Sequence, residues 1–266
     1  MKKTEHGLKR TRKASFTASG LSLCGLVALA FLPLRAVPAP RPEVAVDVGH
    51  TVKDYGALSA RGFKEFDLNR NLAEKTALAL EKLKLRTLRV NFDGRIARLD
   101  ERPKQAARAD FFISIHHDSV QPELLEEWEW KGEKLTYSDK HAGFSLFVSR
   151  KSPDLETSLR CASAIGARLR RSGFLPTTHH GDSIAGTPRP YADRANAVHY
   201  YDTLVVLYRT TLPAVLFEAG VVKHRAEEAA LRDPKRQALM AGEIATGIAA
   251  CLFVKPAREH LVTGAG

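Results

Sequence analysis

The sequence predicts an α/β fold, a single domain with a mainly parallel twisted sheet flanked by helices on both faces. Two observations carry that expectation. Short apolar runs recur at residues 44–48, 86–91, 109–115, 144–148, 204–207 and 214–217, and helix-patterned segments of ten or more residues separate most of them. Strands alternating with such helices imply βαβ units. The 225 or so residues left after a basic leader suit one domain with an ample core.

Each element has its own signal. In Val44-Ala-Val-Asp-Val48 three alternate valines read as a buried strand, and Gly49 then frees the backbone to turn before His50. A Gly-rich polar loop, 51–66, leads to Asp67, expected to cap a helix with Leu68, Leu72, Ala79, Leu80 and Leu83 at helical spacing. Residues 86–91 form a second strand and 95–108 a helix dense in Arg, Glu and Ala. The third strand, 109–115, runs into His116, His117 and Asp118. Residues 119–142 break the rhythm with five glutamates and two tryptophans, Trp128 and Trp130, and read as an insertion over the sheet edge. A strand at 144–148 is followed by an amphipathic helix, 155–171, stopped by Gly173. A long loop, 176–201, carries His179 and His180. Strands at 204–207 and 214–217 follow, the second ending in Glu218, and 225–254 is helical.

The first forty residues belong to no such pattern. Lys2, Lys3, Lys9, Arg10, Arg12 and Lys13 precede an apolar run at 21–34 and a Pro/Ala-rich stretch, which is the form of a secretory signal cleaved near residues 36–40. The run is shorter than the roughly 20 residues of a spanning helix and is broken by Ser22 and Pro33, so no stable membrane span is expected once it is cut. The expected organisation is therefore a leader at 1–41, a catalytic domain at 42–256 with the 119–142 insertion, and a tail at 257–266, in a periplasmic or secreted protein. Of the formal charge of +11, eight basic residues and one acidic residue up to Arg41 account for +7 and leave +4 for the domain. That excess is small and has no basic patch interleaved with aromatics, so nucleic acid is excluded as a partner. Outside the leader only Cys161 and Cys251 remain, both in helical stretches. They are read as buried free thiols, one disulfide being the alternative.

Four residues stand where strands end or helices begin: His50, Glu65, His116 and Glu218. In open α/β sheets that edge collects ligands and chemistry. Two imidazoles and a carboxylate with an open position for water make a hydrolytic zinc site. Glu218 follows the apolar run Val215-Leu-Phe217, a setting that desolvates it and raises its pKa, which suits a group that takes a proton from zinc-activated water and returns it to a leaving amine. Taken singly, each has a plainer reading: a hydrogen-bonded histidine, a helix-entry charge, or a carboxylate paired with an arginine such as Arg98.

With these motifs in order, the chain resembles a family. Val46-Asp-Val-Gly-His50, Gly62-Phe-Lys-Glu65 with Asp67-Leu-Asn69, Ala109-Asp-Phe-Phe-Ile-Ser-Ile-His116 and Pro213-Ala-Val-Leu-Phe-Glu-Ala-Gly220 are similar to the zinc-dependent N-acetylmuramoyl-L-alanine amidases of the amidase-3 type, over residues 44–254. The resemblance implies one Zn2+ held by His50, Glu65 and His116, with Glu218 as the catalytic glutamate. It also implies peptidoglycan as substrate, cut at the amide between the lactyl group of muramic acid and L-alanine. Val48 stands where the family has proline, Ala219 where a bulkier residue is frequent, and His117 where a small residue is common. Either His116 or His117 can thus be the ligand; strand alternation, which puts Phe112, Ser114 and His116 on one face, favours His116. Some members carry a long helix that blocks the zinc until a partner removes it. Here only residues 149–154 separate the strand from the next helix, so no activator protein is expected. Trp128 and Trp130 either line the groove against sugar rings or pack the insertion onto the domain. His179 and His180 are read as surface or substrate-contacting residues rather than as a second metal site, and Arg98 and Arg194 as candidates for a stem-peptide carboxylate. The competing functions are a zinc carboxypeptidase-like metallopeptidase and a non-catalytic wall-binding module.

Overall fold

The computed structural model describes residues 41–181 and 188–253. The signal expected at 1–41 lies outside them apart from Arg41, and so does the tail expected at 257–266.

Apolar strands seek burial on both faces, and the domain gives it to them in one seven-stranded sheet. β1 (Glu43–Val48), β2 (Arg86–Val90), β3 (Phe111–Asp118), β6 (Ser145–Val148), β7 (Tyr191–Asp193), β8 (Val198–Tyr200) and β9 (Ala214–Val221) lie in the order β2-β1-β3-β9-β6-β8-β7. β1 pairs parallel with β2 and β3, β3 with β9, and β6 with β8. Within this sheet, β6 against β9 and β7 against β8 run antiparallel. The mainly parallel sheet is as expected.

Helices cover the two faces unequally. Val44, Val46, Val48, Phe111, Ile113, Ile115, Val215 and Phe217 turn one way and pack on α1 (Glu65–Lys82), α3 (Leu155–Arg171) and α6 (Pro234–Phe253). The opposite side chains, among them Ala45, Phe112, Phe147 and Leu216, pack with Leu207 of the short α4 (Val205–Tyr208) and with Ala106, which closes the short α2 (Glu101–Gln105). Period-2 alternation sends His116, with Phe112 and Ser114, to this thinly covered face, and His117 to the face packed against α1. The chemistry therefore sits where the sheet has least helix over it.

Several local readings change. Residues 204–207 are not a strand: α4 forms there, and its Val206 and Leu207 pack with Phe112, Phe147 and Leu216 of the sheet. The helix expected at 95–108 shrinks to α2, with Pro103 inside it and Arg102 turned into the interior. The loop at 176–201 contains β7 and β8. α1 begins at Glu65 rather than at an Asp67 cap, and no side chain caps it; Glu65 and Asp67 put negative charge on its first turn. Cys161 and Cys251 are joined in a disulfide across 90 residues, not free, because α3 and α6 pack side by side. The 119–142 segment folds as an antiparallel hairpin of β4 (Glu126–Trp130) and β5 (Glu133–Tyr137).

α5 (Arg225–Leu231) completes the domain after β9. Among the described residues no helix is long and apolar enough to cross a membrane.

Candidate active site

The site begins with the turn after β1. Gly49 has no side chain because a Cβ there would run into the His116 ring. His50 then adopts a left-handed φ of 66°, uncommon for a residue with a side chain. Two buried donors hold that conformation. Asn91 Nδ2 donates to the carbonyls of Val48 and His50, each at 2.7 Å, and Arg102 Nη2 donates to the His50 carbonyl at 2.6 Å. Neither residue stood out in the sequence, since a lone asparagine and an arginine in a charged helix carry no motif.

β1 and β3 are neighbours, so the strand-end histidines meet. The His50 and His116 rings lie 5.1 Å apart, and Glu65, at the start of α1, reaches between them. Glu65 Oε1 is 3.1 Å from His50 Nε2 and 3.4 Å from His116 Nδ1. Its other oxygen, Oε2, accepts from Ala57 N–H at 3.0 Å. Burial alone would push the Glu65 carboxyl upward, but its bonds to His116 and His50 hold it well below the usual carboxylate range. Burial likewise lowers His116, whereas in His50 the bond to Glu65 overrides burial and raises the imidazole. His117 faces away: its Nδ1 lies 2.7 Å from Asn69 Oδ1 of α1, and burial lowers its pKa to about 4. Of the two adjacent histidines, the geometry groups His116 with His50 and Glu65.

One donor atom from each of His50, Glu65 and His116 lies within 4.8 Å of the other two. Two imidazole nitrogens and a carboxylate oxygen, partly exposed on one side, are a donor set that suits a zinc ion with an open position.

Glu218 stands beside His116 in the β3–β9 register. Its Oε2 is buried and has no hydrogen-bond partner among the described residues. Burial, reinforced by the charges of Asp118 and Glu65, drives its pKa well above the ordinary value. Arg98 does not pair with it; that guanidinium is exposed and bonds Asp100 Oδ2 at 3.0 Å. Arg194 is exposed too and lies over the Tyr191 ring. A cavity of about 730 Å³ opens over these groups, lined by His50, His116, Glu218, Arg189, Tyr201 and Leu99 among others.

The hairpin does not line it. Trp128 and Trp130 stack at 5.4 Å, Trp128 Nε1 donates to the Ala60 carbonyl at 2.9 Å, and Arg61 lies over both rings. Its aromatics serve to seat the hairpin on the 60–61 loop. His179 and His180, by contrast, are not surface residues: both reach Asp118 inside the cavity.

The family model for N-acetylmuramoyl-L-alanine amidases of the amidase-3 type matches residues 44–250. The chain belongs to that family. Amidase activity therefore attaches to the fold just described. A search of curated proteins finds no match by sequence. Among solved structures the amidase is similar to an N-acetylmuramoyl-L-alanine amidase from Clostridium difficile 630, with a TM-score of 0.62 and 22% identity over 81% of this chain and 99% of that one. It is also similar to the catalytic domain of CwlV from Bacillus (Paenibacillus) polymyxa var. colistinus, with a TM-score of 0.60 and 26% identity over 80% and 99% of the two chains. Ami1 from Mycobacterium smegmatis follows, with a TM-score of 0.61 and 20% identity over 79% and 96%. These likenesses agree on one sheet-and-helix fold.

Proposed function

We propose that this amidase is an exported zinc hydrolase that cuts the amide between N-acetylmuramic acid and L-alanine in peptidoglycan. His50, Glu65 and His116 hold one Zn2+, and Glu218 is the general base and acid. The carrying observation is the placement of Glu218: a buried carboxylate with a partnerless oxygen, in register with His116.

When bound, the ion supplies Lewis acidity, polarising a carbonyl and making a water more acidic. The remaining work falls to the chain. Ala57 N–H fixes Glu65 through Oε2, which leaves Oε1 turned toward the same point as the two imidazole nitrogens. Arg102 and Asn91 hold the His50 backbone in its left-handed turn, so that the imidazole faces the cavity. Glu218 Oε2, with no competing partner, takes a proton from the attacking water and gives it to the departing L-alanine nitrogen. The carboxyl shares its cavity with the apolar side chains of Leu99, Val206 and Leu216.

The Cys161–Cys251 disulfide supports export, since such bonds persist in oxidising compartments. The 149–154 connection between β6 and α3 is too short to carry a blocking helix, which supports activity without an activator protein.

The purified chain is tested on cell-wall sacculi with and without chelator. Chelator-sensitive release of intact stem peptides with a free L-alanine amine is expected. Release of terminal amino acids alone would indicate a carboxypeptidase, and binding without release a wall-binding module; either result overturns the proposal.

A further inference from the structure

A second group repeats the design of the first. Asp118 sits on β3 two residues beyond His116, past a register shift against β9. Its Oδ1 accepts from Ser119 N–H at 2.8 Å, much as Ala57 N–H holds one oxygen of Glu65. That leaves Oδ2 facing two imidazoles, His179 Nε2 at 3.1 Å and His180 Nε2 at 2.6 Å. One donor atom from each of the three lies within 4.8 Å of the others. All three side chains are largely buried, with 12%, 4% and 14% of their surface exposed.

The outer contacts are those of a ligand set. His179 Nδ1 lies 2.7 Å from Thr177 Oγ1, a bond that fixes the ring and directs Nε2 at Asp118. His180 is held edge-on against Phe147, and its carbonyl accepts from Arg189 N–H at 2.7 Å. Asp118, His179 and His180 all line the same cavity as His50, His116 and Glu218. Asp118 Oδ2 and the two Nε2 atoms thus converge on one place inside the cavity. A shared cation satisfies all three groups at once.

We infer that Asp118, His179 and His180 form a second divalent-cation site, in the same cavity as the His50–His116 pair and Glu218. The nitrogen-rich, borderline-soft donor set selects Zn2+ or a similar transition ion over Mg2+ or Ca2+. This site stands apart from the hydrolytic assignment, because its ligands share no residue with the first group.

The test counts metal. The full chain is stripped with chelator, reloaded with Zn2+ alone, and analysed by elemental analysis and calorimetry, with zinc-edge anomalous scattering to place the ions. Two equivalents are expected in the wild type. Asp118→Asn and His180→Gln should each retain one, at the first site, and His116→Ala should retain one, at the second. Circular dichroism checks that each variant is folded, and the two conservative substitutions guard against loss of the site through misfolding. One equivalent in the wild type, unchanged by Asp118→Asn and His180→Gln and lost in His116→Ala, overturns the second site and leaves the first standing. One equivalent lost in Asp118→Asn and kept in His116→Ala overturns the first site and leaves the second.

Discussion

The two halves of the sheet hold similar donor sets by different means. In the parallel half, β2-β1-β3, His50 and His116 come from the ends of adjacent strands, and Glu65 comes from the first residue of an 18-residue helix. Beneath them a buried polar lattice, Asp47 to Ser114 at 2.6 Å with Arg102 alongside, ties strand to strand. Towards the half where β6 joins antiparallel, the second set borrows Asp118 from the irregular end of the same β3, and takes His179 and His180 from a loop secured by Thr177 and Arg189. The comparison teaches that regular secondary structure is one way to aim ligands and a laced loop another. The first has few ways to move, while the second depends on the contacts that pin the loop.

That contrast yields predictions. The largest effect is expected at Glu218, the carboxylate that feels the charges of both Glu65 and Asp118. Glu218→Gln should lower the rate of sacculus hydrolysis by roughly 10²–10⁴-fold while metal content is kept. A rate within a few-fold of wild type would remove Glu218 from proton transfer and with it the distinction between ligand and base.

Next comes the tie on the antiparallel side. The disulfide closes a 90-residue separation between α3 and α6. Cys161→Ser with Cys251→Ser should cost about 4.6 kcal/mol of unfolding free energy by the chain-entropy account, measured by denaturant titration under non-reducing conditions. Unchanged stability would show that helix packing alone holds this half.

The parallel half should carry a pH signature. Burial pushes Asp47 up to about 7 against the opposing pull of Arg102 and Ser114, and its Oδ1 has no partner among the described residues. In the unfolded chain the same carboxyl titrates near its ordinary value of about 3.9. Between those values the folded state holds the extra proton, so stability contributed at this position falls as pH rises from about 4 to about 7 and levels off above. Asp47→Asn removes that slope. Relative to the variant, the wild type should lose on the order of a few kcal/mol between pH about 4.5 and about 7.5 in urea titrations, and a parallel pair of curves would contradict the reading.

The smallest effect separates two neighbours. His117→Ala should keep full metal content and lose only the stability of a buried hydrogen bond, about 1–3 kcal/mol, whereas His116→Ala loses the first-site ion. Equal metal loss in both would erase the distinction that strand alternation draws.

What the sequence determined by itself was the part governed by short-range rules. Period-2 alternation marked β1 and the faces of His116 and His117, short apolar runs marked β3 and β9, and the run before Glu218 foretold its desolvation. Three of the four family motifs lie on these same segments and the fourth holds Glu65 at the start of α1, so fold class and the first donor group were legible together. Tertiary structure alone decided what depends on distant segments meeting. The Cys161–Cys251 bond, the turn of 204–207 into α4, the role of Arg102 behind His50, and the gathering of Asp118 with His179 and His180 each join residues with no local pattern between them. Periodicity reports which way a side chain faces along its own element. What it will face is set by the order in which strands pack, and that order is a property of the whole chain.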